Sequence, residues 1–261
     1  MKLSVIMPAR NEEGCIAETI EGVLAALRNE RIPHEVVVVD DGSTDATAVR
    51  VARLTGDNPV ILVTNQGRHG FGMAVRAGLE HATGEAIAVM MADASDDAQD
   101  LVRYYRKLEE GYECVFGSRF IRGSKVMDYP VHKLVINRLA NLFIQLLFGL
   151  RCNDITNAFK CYRREVVDAI GPLISPHFNL TVEMPLKAII RGYSYTVIPI
   201  RWTNRKTGIS KLKLAEMGSR YLFIVLYLWL EKFLARGDYH RRHLETAAEA
   251  TAETERKVIN V

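Results

Sequence analysis

The chain has 261 residues, 48% of them hydrophobic, which is enough to bury the core of one large domain with or without an appendage. Its formal net charge of +3 is too small to indicate a nucleic-acid partner. The four cysteines form no CxxC pair and no ligand-spaced cluster, so they are predicted to be reduced thiols of a cytosolic protein. The N-terminal apolar run is too short for a signal peptide.

Short strands alternate with helices over the first half of the chain. In order, the predicted elements are the strand LSVIMPA, the helix CIAETIEGVLAALRNE, the strand EVVVVDDGSTD, the helix ATAVRVARL, the strand VILVTNQ, the helix GMAVRAGLEHA and the strand AIAVMMAD. The strands are rich in β-branched residues and lack polar alternation, which is typical of strands covered on both faces. The pattern predicts an α/β fold with a mostly parallel sheet flanked by helices.

Polar stretches follow each of these strands: PARNEE, DDGSTD, NQGRHG and ADASDD. Because ligands collect at the carboxyl ends of the strands in such sheets, we expect one site along this edge. The last stretch places Asp93, Asp96 and Asp97 where a buried strand reaches the surface. Such a run of carboxylates is electrostatically costly unless a positive group lies beside it.

Two adjacent carboxylates, Asp40 and Asp41, follow the second strand. They can accept hydrogen bonds from a base or ribose or help to hold a cation, whereas Ser43 or Asp45 in the same turn would cap the next helix. No glycine-rich phosphate loop follows the first strand, which argues against a dinucleotide fingerprint or a Walker A motif. The GRHGFG stretch at 67–72 has the wrong spacing for a phosphate cradle, and a plain flexible loop explains it equally well.

Two apolar segments lie in the second half of the chain. The first, at 131–150, carries a stripe of apolar residues at helical spacing and is predicted to be an amphipathic interface helix. The second, at 214–236, contains YLFIVLYLWL, about 10 residues or half of what a bilayer crossing needs. Both are expected to lie in the lipid headgroup region, or else to form a core or an oligomer interface. The predicted organisation is a catalytic domain at 1–213, this C-terminal helix and a charged tail at 237–261.

The order of several motifs resembles that of the inverting family 2 glycosyltransferases. These motifs are Pro8, Asn11 and Glu12, then DDGSTD, then NQGRHGFGMAVRAGLEHATGEAI, then the aspartates after the fourth strand. The later motifs FGSRF, TNAFKCYRREV and VIPIRWTNRKTGISKL resemble the dolichol-phosphate mannosyltransferase branch. The resemblance covers about residues 3–213. It implies the Rossmann-like GT-A fold and a nucleotide-diphosphate sugar donor, with GDP-mannose favoured.

The resemblance also implies a divalent cation, Mg²⁺ or Mn²⁺, at the carboxylates after the fourth strand. Hard ions of this kind bridge carboxylates and substrate phosphates and stabilise the charge on a departing diphosphate. Asp93 matches the second, metal-binding aspartate of the family's Asp-x-Asp motif, whereas Met91 stands where the first acid would be. Asp96, or Ser95 through its hydroxyl, is expected to complete the metal site.

Further roles follow from the same resemblance. The residues expected to bind the donor are Pro8, Asn11, Glu12, Asp40, Asp41 and Asp93. Arg119 is expected near the donor diphosphate or the acceptor phosphate. Glu183 falls where the family places an acid near the sugar, and an exposed helical carboxylate is an equally good explanation of it. The predicted catalytic residues are therefore Asp93, Arg119 and Glu183.

A basic segment near the end of the matching region is expected to hold an acceptor phosphate. Its cations and flexible backbone N–H groups suit a phosphate, and a solvated basic loop is the alternative. The predicted phosphate-binding residues are Arg205, Lys206, Ser210 and Lys211. A phosphate acceptor is already anionic near neutral pH, so it needs orientation more than a strong general base.

The resulting hypothesis is the inverting transfer of a hexose, with mannose favoured, from a nucleotide sugar to a polyprenyl or dolichyl phosphate. The protein is expected in the cytoplasm, peripherally associated with the inner face of the membrane, with a homo-oligomer as a further option. One alternative is a family 2 enzyme with a soluble or glycolipid acceptor. The other is a catalytically inactive nucleotide-sugar-binding protein, which the substitution at Met91 keeps open.

Overall fold

The computed structural model describes residues 1–204 and 214–241. Strands and helices alternate through the first half of the chain, as predicted. In order they are β1 (Leu3–Ala9), α1 (Ile16–Asn29), β2 (His34–Asp40), α2 (Thr47–Ala52), β3 (Val60–Thr64), α3 (Phe71–His81), β4 (Ala86–Val89), α4 (Ala98–Glu109) and β5 (Cys114–Ser118).

The second half is richer in helices. It contains, in order, β6 (Lys125–Met127), α5 (Val131–Phe148), β7 (Lys160–Arg163), α6 (Arg164–Ala169), α7 (Leu180–Ile190), β8 (Tyr195–Pro199), β9 (Arg201–Thr203) and α8 (Leu214–Leu234). α8 is longer than the apolar run that marks it in the sequence, because Glu231 and Lys232 interrupt that run without ending the helix. The predicted charged tail lies outside the described residues from residue 242 onward.

A seven-stranded sheet has the order β3-β2-β1-β4-β7-β5-β8. β1 pairs in parallel with β2 and β4, β2 with β3, and β5 with β8. Of the strands described in this sheet, β7 is the one that runs antiparallel, between β4 and β5. The predicted α/β fold with a mostly parallel sheet is thereby confirmed.

The strand order reverses between β1 and β4. β2 and β3 extend the sheet on one side of β1, and β4 begins the other side, so a crevice opens at the carboxyl ends of these two strands. The loops that follow Ala9 and Val89 both start at this crevice.

Apolar side chains cover both faces of the sheet, which is why its strands lack polar alternation. β1 is buried along its whole length. α1 and α4 cover one face, where Leu27 and Leu108 are fully buried. α3, α6, α7 and α8 cover the other face, together with the buried side of α5. Because close packing on both faces holds the strands in place, the loops at the crevice begin at well-defined positions.

α5 and α8 leave many apolar side chains exposed. Leu139 and Leu146 of α5 are exposed, as are Phe223 and Leu234 of α8. Of the described helices, α5 alone is long and apolar enough to cross a membrane, and only 17% of its residues are buried. A single helix that meets this test is little evidence of a membrane span. Helices are thus present at both predicted positions, and their contact with a membrane stays a prediction.

Candidate active site

A cavity of about 840 Å³ opens where the sheet reverses its strand order. One wall comes from the strand ends: Pro8 in β1, Asp41 after β2, and Asp93 and Asp96 after β4. The opposite wall comes from α5, α7, α8 and the loop before α7. With Glu12, which also lines it, the cavity holds five of the predicted donor and metal residues.

Asp93 and Asp96 lie in the tight turn after β4. Asp93 Oδ1 accepts hydrogen bonds from Ser95 N, at 3.2 Å, and from Ser95 Oγ, at 2.6 Å. The Ser95 hydroxyl donates to Asp93 and keeps its oxygen lone pairs, so Asp96 and Ser95 both stay candidates for the second metal-site residue. Asp97, by contrast, caps α4 through a 2.8 Å bond from Gln99 N.

The carboxyl group of Asp96 is only 7% exposed. Its Oδ2 accepts a 3.1 Å bond from Met91 N, and its Oδ1 is buried with no hydrogen-bond partner. Burial, followed by the charge of Asp93, raises the pKa of Asp96 to about 7. A buried carboxylate oxygen without a donor has an open position for a cation, which would favour the charged form.

The fit of this turn to a divalent ion follows from its donor set. Within the described parts of the chain, no group of three or more His, Cys, Asp or Glu side chains is placed to enclose a metal ion. Asp93 and Asp96 therefore offer an open site rather than a closed cage. Mg²⁺ and Mn²⁺ suit such a site, because they bind one or two carboxylates and complete their coordination with substrate phosphates and water.

The loop after β1 is tied to the loop after β2. Asn11 has a backbone φ of 52°, its N–H donates to Ser43 Oγ at 3.0 Å, and its Oδ1 accepts from Thr44 N at 2.8 Å. Glu12 N donates to Thr47 Oγ1 at 2.8 Å, and Glu12 lines the cavity. Asn11 is exposed and serves this loop contact, whereas Pro8 and Glu12 face the cavity.

Asp40 and Asp41 have different surroundings, although both are buried. Asp40 Oδ1 accepts a 3.2 Å bond from Ser43 N, within its own turn. Asp41 lines the cavity and binds the loop after β3: Asn65 Nδ2 at 2.7 Å, His69 Nδ1 at 3.1 Å and Gly70 N at 2.9 Å. A carboxylate accepts about four hydrogen bonds, so one position of Asp41 stays available to a ligand.

Two of the three glycines of GRHGFG, Gly70 and Gly72, are required by packing. A Cβ added to Gly72 would lie 2.1 Å from Ser175 O, and one added to Gly70 would lie 2.4 Å from Pro176 O. Met73 N also donates to Pro176 O at 3.2 Å. The glycines allow the segment at 174–178 to approach α3 closely, which neither a flexible loop nor a phosphate cradle explains.

Arg119 lies on the cavity wall and is 8% exposed. Its guanidinium donates to both carboxylate oxygens of Asp154, at 2.7 and 2.8 Å. Its Cζ lies 5.3 to 5.5 Å from the ring centroids of Phe120, Tyr129 and Trp202. Burial opposes the charge, but Asp154 outweighs it and raises the pKa of Arg119 above its ordinary value. The side chain is a rigid cation at the cavity.

Glu183 lies in α7 and is not among the described residues that line the cavity. It is fully buried, and its carboxylate accepts hydrogen bonds from Ile174 N at 2.8 Å and Ser175 N at 2.7 Å. Lys187 Nζ lies 2.8 Å from Glu183 Oε1. The interpretation of Glu183 as an exposed helical carboxylate is therefore wrong.

The sequence reasoning did not identify Lys160, which is fully buried at the start of β7. The antiparallel course of β7 places it opposite Val89 and Phe116, at the carboxyl ends of β4 and β5. Its Nζ donates to the carbonyl oxygens of Asn157 and Thr181, two cavity residues. Burial lowers the pKa of Lys160 to about 7. The strand KCYR has a basic residue at each end, so its sequence pattern does not mark Lys160 as buried.

Cations and apolar side chains also line the cavity. The cations include Arg119, Lys133 and Arg220. The apolar residues come from α5 and α8 and are Ile136, Ala140, Phe143, Ile144, Leu222 and Val225. Lys133 had not been identified from the sequence, although it shares a helical face with Ile136 and Ala140. The predicted phosphate-binding residues Arg205, Lys206, Ser210 and Lys211 lie outside the described residues.

Comparison with known proteins places the chain among sugar-transferring enzymes. Residues 4–171 match the sequence profile described as Glycosyl transferase family 2. The polyprenol monophosphomannose synthase of Mycolicibacterium smegmatis is 29% identical over 83% of this chain and 86% of its own length. The dolichol-phosphate mannosyltransferase of Pyrococcus furiosus is 30% identical over 82% of this chain. The match spans 60% of the Pyrococcus enzyme's length.

Solved structures show the same fold at lower identity. The glucosyl-3-phosphoglycerate synthase of Mycobacterium tuberculosis, crystallised with Mn²⁺, UDP-glucose and phosphoglyceric acid, has a TM-score of 0.66 to this chain. It is 19% identical, and the match covers 88% of this chain and 79% of that one. At this identity the comparison supports the fold alone.

Proposed function

The chain belongs to glycosyl transferase family 2, and on that premise we propose that it transfers a mannosyl group from GDP-mannose to a polyprenyl or dolichyl phosphate. The observation that carries this proposal is the composition of the cavity. Its lining combines carboxylates, namely Glu12, Asp41, Asp93 and Asp96, with cations that include Arg119, Lys133 and Arg220, and with apolar residues of α5 and α8. A nucleotide sugar and its divalent ion suit the carboxylates, and a phosphate on a hydrocarbon chain suits the cations and the apolar residues.

The donor is proposed to bind along the strand ends. Pro8, Glu12 and Asp41 line this part of the cavity. Asn11 supports them by holding the two loops together, and Asp40 supports the turn after β2 through Ser43 N. The open position on Asp41 would accept a hydrogen bond from the nucleoside, as carboxylates at this edge do in related α/β folds.

Asp93 and Asp96 would hold the divalent ion beside the donor diphosphate. When bound, Mg²⁺ or Mn²⁺ would act as a Lewis acid and stabilise the negative charge on the leaving nucleoside diphosphate. Met91 brings no carboxylate to this site, but its backbone N–H donates to Asp96 Oδ2 and holds that side chain in the turn. The proposed metal site thus rests on residues that the turn already holds.

The acceptor is proposed to place its phosphate among Arg119, Lys133 and Arg220, with its chain along α5 and α8. Arg205, Lys206, Ser210 and Lys211 stay proposed as further phosphate-binding residues. A phosphate oxygen attacks the anomeric carbon as the bond from that carbon to the diphosphate breaks, which inverts its configuration. The attacking oxygen is already anionic, so the step needs no general base.

The exposed apolar faces of α5 and α8 are proposed to rest on the cytoplasmic membrane surface. The cationic Lys232 and Arg236 lie at the end of α8, where they would meet anionic headgroups. A membrane lipid would then reach the cavity along the apolar wall. Exposed apolar faces also suit a homo-oligomer, which sedimentation in detergent would detect.

The test is transfer of label from radiolabelled GDP-mannose to polyprenyl phosphate in detergent. We expect label in the organic phase only when both polyprenyl phosphate and Mg²⁺ or Mn²⁺ are present. Transfer to a water-soluble acceptor, with none to polyprenyl phosphate, would instead support the soluble-acceptor alternative. Donor binding without turnover under any of these conditions would support an inactive binding protein.

A matched pair of variants separates the cavity wall from the membrane face. Phe143→Ser changes a cavity residue of α5, whereas Leu146→Ser changes the same helix at a residue that is 75% exposed. In detergent, Phe143→Ser should raise the half-saturating concentration of long-chain polyprenyl phosphate, and Leu146→Ser should not. On vesicles, Leu146→Ser should weaken binding. Equal effects of both variants in detergent would contradict the proposed lipid path.

A further inference from the structure

The segment Ile174–Phe178, here called the bracket loop, is held from behind by a buried ion pair. Glu183 accepts the N–H groups of Ile174 and Ser175, at 2.8 and 2.7 Å. Lys187, one helical turn further along α7, lies 2.8 Å from the Glu183 carboxylate and balances its charge. Both partners are fully buried, so solvent does not compete with these contacts.

On its other side the bracket loop presses against the start of α3. Arg76 donates to Ser175 O at 2.9 Å, and Gly72 leaves no room for a Cβ beneath that carbonyl. The rings of Phe71 and Phe178 stack with centroids 4.5 Å apart. The bracket loop therefore has a fixed distance to the donor side, where Gly70 binds Asp41.

The same loop also meets the acceptor side. Tyr221 of α8 donates its hydroxyl to Phe178 O at 2.9 Å. Phe71, His177, Phe178 and Tyr221 all line the cavity. One short segment thus connects the donor loop with the helix that forms the apolar wall.

We propose that Glu183 is a positioning residue, which sets the bracket loop so that the donor loop and the acceptor wall keep their spacing. Glu183 has no direct route to a substrate, because it is fully buried behind the loop. A buried ion pair adds little to stability compared with apolar residues of the same size. By contrast, its hydrogen bonds from Ile174 N and Ser175 N fix the position of the bracket loop, and an apolar replacement of Glu183 loses them. This inference rests on the proposed function for its kinetic test.

The test compares Glu183→Gln with Glu231→Gln. Glu231 forms a second buried ion pair, with Arg191 at 3.1 Å, and neither of those residues lines the cavity. Both variants should lose stability. We expect Glu183→Gln alone to lower kcat/KM for polyprenyl phosphate by about 10- to 100-fold, because a small misplacement of substrate has effects of this size.

A double variant, Glu183→Leu with Lys187→Met, separates stability from position. It removes both buried charges, so it should unfold closer to the wild-type midpoint than Glu183→Leu alone, although the N–H groups of Ile174 and Ser175 lose their acceptor. It also removes both backbone acceptors, so the loss in kcat/KM should persist. The double variant also keeps the proposal testable if Glu183→Gln does not fold. Wild-type kinetics in a stable double variant would overturn the proposal.

Hydrogen exchange makes this test independent of the reaction. The amides of Ile174 and Ser175 should exchange faster in Glu183→Gln or in the double variant than in Glu231→Gln. Unchanged exchange there would overturn the positioning role even if transfer is observed. Wild-type protein that transfers no sugar to polyprenyl phosphate, with faster exchange in the variant, would refute the proposed function and leave the positioning role supported.

Discussion

Replacing Gly72 by alanine tests the close approach of α3 to the bracket loop. The new Cβ would lie 2.1 Å from Ser175 O, whereas ordinary contact begins at 3.4 Å, so the carbonyl would have to retreat by about 1.3 Å. The loop is not free to retreat in this way. Arg76 holds the same carbonyl, and Glu183 holds the N–H of Ser175.

The expected cost follows from these contacts. Overpacking a well-filled site costs about 1–3 kcal/mol, and a lost buried hydrogen bond adds about 1–3 kcal/mol. Since the two effects overlap, we expect Gly72→Ala to lower the free energy of unfolding by about 2–4 kcal/mol. Urea unfolding measures this as a lower midpoint at an unchanged m-value.

Gly22→Ala is the matched control. Gly22 lies within α1, and a Cβ added there meets no atom within 4 Å. Alanine in an exposed helix interior stabilises by about 0.5–1 kcal/mol relative to glycine, so this variant should unfold at a slightly higher urea concentration. A Gly72→Ala protein that unfolds at or above the wild-type midpoint would refute the packing argument.

Three further predictions concern charged groups around the cavity. Asp93→Asn should keep the fold but reduce metal-dependent turnover by more than 100-fold, since groups outside a metal's ligand set typically account for about 10- to 100-fold. The helix-cap variant Asp97→Asn should stay near wild-type activity. Similar activity of the two variants would exclude Asp93 as a metal ligand. Asp154→Asn leaves the buried guanidinium of Arg119 unpaired and should lower the free energy of unfolding by about 3–5 kcal/mol. Glu109→Gln breaks an exposed pair with Arg106, so its urea midpoint should stay near that of the wild type. Burial lowers the pKa of Lys160 to about 7 from its ordinary 10.5, so between these pH values the unfolded chain binds more protons than the folded one. The free energy of unfolding, relative to that of Lys160→Met, should therefore rise with pH across this window by up to about 1.4 kcal/mol per pH unit. A difference between the two proteins that does not change with pH would contradict this reasoning.

The sheet and the edge that carries the site could be predicted from the sequence. Burial on both faces is visible in the local sequence, since β1 is apolar apart from Ser4 and the middle of β2 is four consecutive valines. The sequence also marks where these strands end, because Asp40 and Asp93 follow directly on apolar runs. The convergence of these ends then follows from parallel pairing alone.

The contacts that shape the rest of the site are not local. The partner of Arg119 is Asp154, 35 residues away, and the carbonyl group that excludes a side chain from Gly72 is about 100 residues away. Nothing in the spacing of LTVEMPLKA distinguishes a buried Glu183 from an exposed one, since Lys187 at the next turn suits a surface ion pair equally well. Sequence patterns therefore predict the chemical role that a side chain can take more readily than where that side chain points in the fold.

The two halves of the cavity differ in how their residues are held. On the donor side, the loops are tied mainly by backbone N–H groups and neutral side chains, such as Ser43 and Asn65, that bind carboxylates. On the acceptor side, buried charges set the geometry, notably Arg119 with Asp154 and Glu183 with Lys187. Buried ion pairs fix direction at little gain in stability, so substitutions there should impair acceptor use before donor binding. Because a fold alone does not determine its substrate, we expect this charged and apolar half to select the proposed acceptor.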